Sequence, residues 1–189
     1  MRQPILFSTP IWMFPEQLPK GVYEWSLEYK RKELDSKIIS NRGGYQSIQK
    51  PWEEFKYKDH IDQILTNRFP SYKKFFVTDW WLNINGKWDY NLPHTHAHSD
   101  LSCIWYITNN EGLLYFEDPL QHTRQVLYDR IFSDWGEASN KNIKCDAGTV
   151  LVFPSDLVHR VEEHTLDTPR ISVSFNMSAK YWHIHRITL

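Results

Sequence analysis

The sequence predicts a mainly β (α+β) domain, a jelly roll with the helices of its N-terminal third packed on it. Three observations predict this. From Lys74 onward the chain is a series of short runs rich in β-branched and aromatic residues, separated by turn formers. Their number and spacing suit a sandwich or barrel rather than a parallel α/β sheet. Before Lys74, apolar residues recur instead at helical intervals.

Taken in order, residues 5–14 read as a short extended segment broken by Pro10. Residues 16–36 read as helical after Pro19, with Val22, Trp25, Leu27 and Tyr29 loosely spaced and a charged end, KRKELD. SNRGGYQS, at 40–47, reads as a turn whose two glycines can supply positive φ. Residues 59–69 suit a second helix with Ile61, Ile64, Leu65 and Phe69 on one face. The strand-like runs are FFVTDWWLNI, DLSCIWYI, GLLYFED, GTVLVFP, LVHRVEE and PRISVSFNM. Residues 119–144 have weak periodicity and several charges, which fits a lid, a substrate-binding loop or a plain surface excursion. The division expected is one domain over 1–189, with a helical N-terminal region (1–73), a jelly-roll core (74–178) and a C-terminal tail (179–189).

Composition narrows the function classes. Formal net charge is −1, from 22 basic and 23 acidic residues, so no basic surplus exists to hold a phosphate backbone and no nucleic-acid partner is expected. Cys103 and Cys145 are the only cysteines and form neither a disulfide framework nor a paired zinc spacing. The N-terminal apolar run is too short for a signal peptide, and no window approaches the roughly 20 apolar residues of a membrane span. A soluble cytoplasmic protein is the expectation. The 29 aromatic residues (nine Trp, ten Tyr, ten Phe) suit a core of large rings first and a ring-lined cleft second.

The chemistry concentrates in PHTHAHSD, at 93–100, where three histidines and an aspartate fall on alternate positions. Alternate residues of an extended chain face one side, so His94 and His96 can reach one ion from one short segment. His159, in FPSDLVHRV, would join them from a distant strand. Imidazole suits divalent iron, zinc or copper, and three protein ligands leave positions open for substrate or oxygen. Arg170 and Ser172, in PRISVSFN, place a guanidinium and a hydroxyl on alternate strand positions, a good clamp for a carboxylate. HxH alone is a weak signal, since a histidine pair on a strand is often polar surface. The ordered conjunction of HxH, GTVLVFPS with a second histidine, and Arg-x-Ser is specific.

These motifs resemble the iron(II)- and 2-oxoglutarate-dependent dioxygenase superfamily, and within it the small 2OG-Fe(II) oxygenases of bacteria and phages. The resemblance runs from LFSTPIW and SNRGGYQS through WLNINGKWDYNLPHTH, LSCIWYI, LLYFEDP and AGTVLVFPSDLVHRV to PRISVSFN. It implies a double-stranded β-helix, iron(II) as cofactor, and 2-oxoglutarate and O2 as cosubstrates. The implied reaction converts 2-oxoglutarate to succinate and CO2 while hydroxylating a peptide residue or a small metabolite. His159 matches the distal metal ligand, and Arg170 the anchor of the outer 2-oxoglutarate carboxylate, with Ser172 assisting. The superfamily triad is two histidines and a carboxylate, and a literal H-x-D occurs at His98 and Asp100. Family spacing counted back from Leu101-Ser102 lands instead on His94 and His96. The favoured triad is therefore His94, His96 and His159, with His98 and Asp100 as rival ligands. An all-imidazole triad is neutral and leaves more positive charge on the metal, which bears on 2-oxoglutarate binding and metal choice.

Asn83, Asn85, Tyr90 and Tyr106 are candidate hydrogen-bond partners of the cosubstrate, or ordinary strand polar residues. Trp80, Trp81, Trp88 and Trp105 are cleft or packing residues, and Cys103 carries no mark of an activated thiolate. His183 and His185 form a second HxH without partner motifs, and His60, His122 and His164 carry no signal. Two other functions fit some of the pattern: a cupin-like metal enzyme without 2-oxoglutarate, and a non-catalytic jelly roll that binds a ligand. Arg170 argues against the first, and convergence of the histidines would argue against the second. The pattern specifies neither the substrate nor the oligomeric state.

Overall fold

The computed structural model describes residues 9–111, 113–119 and 141–180. Strand β1 (Trp12–Phe14) is followed by helix α1 (Val22–Lys32), then by β2 (Asn41–Arg42), β3 (Tyr45–Gln46) and β4 (Lys50–Pro51). Helix α2 (Lys58–Arg68) leads into β5 (Phe75–Asn85), β6 (Tyr90–His94), β7 (Leu101–Tyr106) and β8 (Leu114–Phe116). The last strands are β9 (Lys141–Ile143), β10 (Val150–Pro154), β11 (His159–Val161) and β12 (Arg170–Ala179). All the strand pairings described are antiparallel. The larger sheet runs β1-β10-β7-β12-β5-β3, with β4 also on β5, and the smaller runs β2-β6-β11-β8-β9. This is the expected jelly roll.

Each run read as extended contains a strand, and both helices form where the spacing placed them. Ile61, Ile64, Leu65 and Phe69 are buried, as their common face requires. Val22 is buried, and Trp25, Leu27 and Tyr29 pack against the same core. Four short strands lie in the N-terminal third, where β1 extends the larger sheet beside β10. They are too short for a period-2 pattern to register.

Period-2 alternation divides the central strands. Trp80, Leu82 and Ile84 of β5, Cys103 and Trp105 of β7, and Val173 and Phe175 of β12 face the helices in one core. Rings from Trp25, Tyr29, Phe55 and Trp80 meet there with centroids 4.8–6.1 Å apart, so the aromatic surplus is mostly packing. The opposite positions face the smaller sheet. Phe116, Leu151, Phe153, Leu157 and Val161 close a second, smaller core there.

Turn 40–47 ties the two sheets together, because β2 pairs with β6 while β3 pairs with β5. Gly43 and Gly44 both hold positive φ, 67° and 66°. A Cβ on Gly43 would also lie 1.9 Å from the Asp89 carboxylate, so a side chain there would be strained and would displace Asp89. The expected lid segment falls mostly on residues 120–140, and His122, His183 and His185 likewise lie outside the described residues.

Candidate metal centre

The inner face of β12 is the floor of the site. Arg170, Ser172, Ser174 and Asn176 all point inward and are buried, although none is apolar. Opposite them on β5 stand Asn85, Asn83, Trp81 and Asp79 in register. The result is a polar stripe inside the barrel, where burial is costly unless each group finds a partner. All of these residues but Asn85 line a cavity of about 450 Å³ that is also lined by all three candidate histidines.

His94 ends β6 and pairs directly with His159, the first residue of β11. His96 follows two residues later and is held by a hydrogen bond from its backbone N–H to the Ser155 carbonyl (2.9 Å). The pairing shifts register between His159 and Val161, an irregularity of the kind that re-aims side chains beside functional sites. Ring centroids lie 4.3 Å apart for His94–His159, 5.2 Å for His96–His159 and 5.3 Å for His94–His96. One nitrogen from each ring lies within 4.8 Å of the other two.

Hydrogen bonds of the Nδ1 atoms fix the tautomers, and Nε2 of His94 lies 3.5 Å from Ser40 Oγ. Nδ1 of His94 faces the Leu92 carbonyl (2.7 Å), and Nδ1 of His159 the Leu157 carbonyl (2.9 Å). Nδ1 of His96 faces Oδ1 of Asn176 (2.9 Å). A backbone carbonyl only accepts, so Nδ1 of His94 and of His159 carries the proton and their Nε2 presents a lone pair; His96 does the same with the Asn176 amide oxygen as its partner. Burial, the first cause in every case, lowers the pKa of His94 and His96 below the ordinary imidazole value. Burial, then repulsion from His94, lowers His159 to about 3. The three rings are therefore neutral at physiological pH, the state a metal requires. Three neutral nitrogens gathered on one side suit a first-row divalent ion with open positions opposite.

His98 is exposed at the cavity rim and stands outside this cluster. The Asp100 carboxylate accepts a hydrogen bond from the Ala179 amide (2.8 Å), and its backbone bonds Met177 and Ser155. Asp100 thus fastens the end of β12.

Arg170 is 3% exposed and lines the same cavity. Its Nη1 makes only a long contact to Oδ1 of Asn85 (3.4 Å), and its Nε has no hydrogen-bond partner. Among the described residues it forms no ion pair. Ser172 lies two residues along the stripe, and the Asn83 amide bonds Ser174 Oγ (3.0 Å). The Arg170 guanidinium sits 5.6 Å from the centre of the Tyr106 ring. Burial raises the Tyr106 hydroxyl to about 12, against the pull of Arg170. Tyr90 does not line the cavity. Of the four tryptophans, Trp81 lines it, with its ring 5.5 Å from His96. Trp80 and Trp105 are core, and Trp88 is exposed. Cys103 also borders the cavity, but burial pushes its thiol well above the ordinary range. Asp79, Ser174 and Asn176 escaped the sequence reading. Their signal was alternation in RISVSFN and TDWWLNIN, which on an exposed strand would mean only a wet face.

Residues 79–176, 98 of the 189, match the model of the family described as "Putative 2OG-Fe(II) oxygenase". The chain belongs to this 2OG-Fe(II) oxygenase family. Iron(II) is the family's cofactor, and 2-oxoglutarate and O2 are its cosubstrates. Solved structures share the oxygenase's fold. HygX from Streptomyces hygroscopicus, with nickel and 2-oxoglutarate bound, is 11% identical at a TM-score of 0.59, covering 92% of this chain and 84% of HygX. A Pseudomonas putida prolyl-4-hydroxylase is 12% identical at a TM-score of 0.60, covering 92% and 95%. SnoK, a non-heme alpha-ketoglutarate-dependent carbocyclase from nogalamycin biosynthesis, is 12% identical at 0.63, covering 89% and 79%. Such identities establish the fold alone. HygX has also been solved with hygromycin B bound. No curated protein matches this oxygenase significantly. Among the described residues, no helix is long and apolar enough to cross a membrane.

Proposed function

We propose that this oxygenase hydroxylates a peptide residue or a small metabolite, with iron(II) held by Nε2 of His94, His96 and His159. Arg170 would receive the outer carboxylate of 2-oxoglutarate, with Ser172 assisting and Asn83 and Tyr106 at the edge of that subsite. When bound, iron and 2-oxoglutarate together supply the activation of O2 that ends in substrate oxidation and release of succinate and CO2.

One observation carries the reading. A buried guanidinium with no anion beside it among the described residues shares a cavity with three neutral imidazoles. An unpaired buried charge costs roughly several kcal/mol, and an arriving carboxylate removes that cost. The site therefore favours a ligand that is anionic at one end and metal-seeking at the other. A cupin-like enzyme without 2-oxoglutarate has no use for such a residue. The protein's own contribution is orientation and exclusion of water. The backbone carbonyls of Leu92 and Leu157 hold two rings in the ligand tautomer, while Phe153, Trp81 and Leu114 wall the cavity. HygX with hygromycin B and the prolyl-4-hydroxylase have this same fold, which supports keeping both small and peptidyl substrates within the proposal. The test is purified protein supplied with iron(II), ascorbate and 2-oxoglutarate. Slow succinate release without added substrate is expected, and failure of the folded protein to take up metal would overturn the reading.

A further inference from the structure

His94 and His159 are oriented by their own stretches of backbone, since each Nδ1 meets the carbonyl two residues earlier, Leu92 within β6 and Leu157 just before β11. A backbone carbonyl cannot rotate into a donor, so those two tautomers are set once the strands form. His96 differs. Its Nδ1 meets a side-chain amide, Asn176, 80 residues away on β12. An amide offers an acceptor on one side and a donor on the other, so by itself it leaves the tautomer of His96 open.

Asp79 closes that choice. The Asn176 Nδ2 donates to Oδ1 of Asp79 at 2.9 Å. A carboxylate only accepts, so it draws the amide N–H₂ toward itself and turns the amide oxygen toward His96. That oxygen accepts from Nδ1–H, and Nε2 is left with its lone pair facing the other two histidines. Asn176 is 8% exposed, its backbone carbonyl accepts from Thr78 Oγ1 (3.3 Å), and the β5–β12 register shifts directly after it. The amide itself is held between His96 and Asp79.

We propose that Asp79 and Asn176 are the positioning pair for His96, with the carboxylate of Asp79 acting on the metal centre through the Asn176 amide instead of as a ligand. This rests on the assignment of His94, His96 and His159 as the metal ligands. The usual triad places a carboxylate directly on the metal. Here the nearby half-buried carboxylate stands two hydrogen bonds away, behind an imidazole.

Cobalt(II) titration of the full chain tests this, read by affinity and by the ligand-field spectrum of the loaded protein. Asn176→Leu removes the acceptor at similar size and is expected to weaken cobalt binding by roughly 10–100-fold and to alter the spectrum. Asp79→Asn, which no longer dictates the amide's direction, is expected to fall between that variant and wild type. The exchange Asp79→Asn with Asn176→Asp restores a forced acceptor to His96, and should recover affinity and spectrum relative to either single change. The proposal is overturned if Asn176→Leu binds cobalt like wild type with an unchanged spectrum. It is equally overturned if the exchange is no better than the single variants, a comparison that holds even if Asn176→Leu does not fold. Wild type failing to bind cobalt, or His96→Ala binding it normally, would instead strike the ligand assignment beneath it.

Discussion

At the scale of single residues, the site sets three imidazoles beside one buried guanidinium. The three imidazoles are held uncharged by burial, and the Arg170 guanidinium lines the same cavity. Replacing Arg170 by alanine should weaken 2-oxoglutarate binding by about 2–5 kcal/mol, at least ~30-fold, while leaving metal affinity intact. Calorimetric titration with each ligand checks this, and loss of both together would contradict the carboxylate role. His94→Ala and His96→Ala should each abolish metal uptake, whereas Asp100→Asn should keep it and loosen only the end of β12. The metal-free protein should also be acid-sensitive. An imidazole with a depressed folded pKa binds fewer protons folded than unfolded, so stability rises with pH while the unfolded chain titrates. Stability is then full above about pH 6.5, falls as pH drops below it, and for His159 the loss runs down to about 3. Thermal melts of metal-stripped protein should show a smaller drop from roughly pH 7.5 to 5.5 in His159→Phe than in wild type.

At the scale of elements, β12 shows what the sequence carries and what it withholds. Its alternation places Ile171, Val173, Phe175 and Met177 against the helices, and that face was legible from RISVSFN. The other face was legible only at Arg170 and Ser172, where the motif gave those positions meaning. Asn176 and Asp79 went unread because a period of 2 distinguishes two faces but cannot say whether the polar one meets water or a cavity. The smaller sheet, which covers that face, is assembled from strands distant in sequence. Strand β6 was similarly veiled: Pro93 and its polar residues weaken the β signal, and the strand ends at His94, the first histidine of HxH. The two faces of β12 predict opposite phenotypes. Ile171→Ala should cost about 2–5 kcal/mol of stability by opening a core cavity, with metal and 2-oxoglutarate affinities retained. Ser172→Ala should leave denaturant midpoints nearly unchanged and weaken 2-oxoglutarate binding.

At the scale of the molecule, the fold carries three histidines of the smaller sheet and its following turn to a polar stripe on the larger sheet. His94 and His159 are register partners, so one antiparallel pairing sets two of the three nitrogens before any metal arrives. Neither sheet alone makes the site, and ligands that bridge them should stabilise the whole domain. Metal and 2-oxoglutarate, each at about 100 times its dissociation constant, should each add about 2.7 kcal/mol and raise the melting temperature by several degrees. A chelator should reverse the gain. The central claim is the identity of the three ligands, and the most direct measurement is a crystal structure with metal and 2-oxoglutarate, read by anomalous diffraction at the metal edge. The predicted result is one ion on Nε2 of His94, His96 and His159, with the far carboxylate of 2-oxoglutarate on Arg170. An ion bound through His98 or Asp100, or a cosubstrate turned away from Arg170, would contradict it.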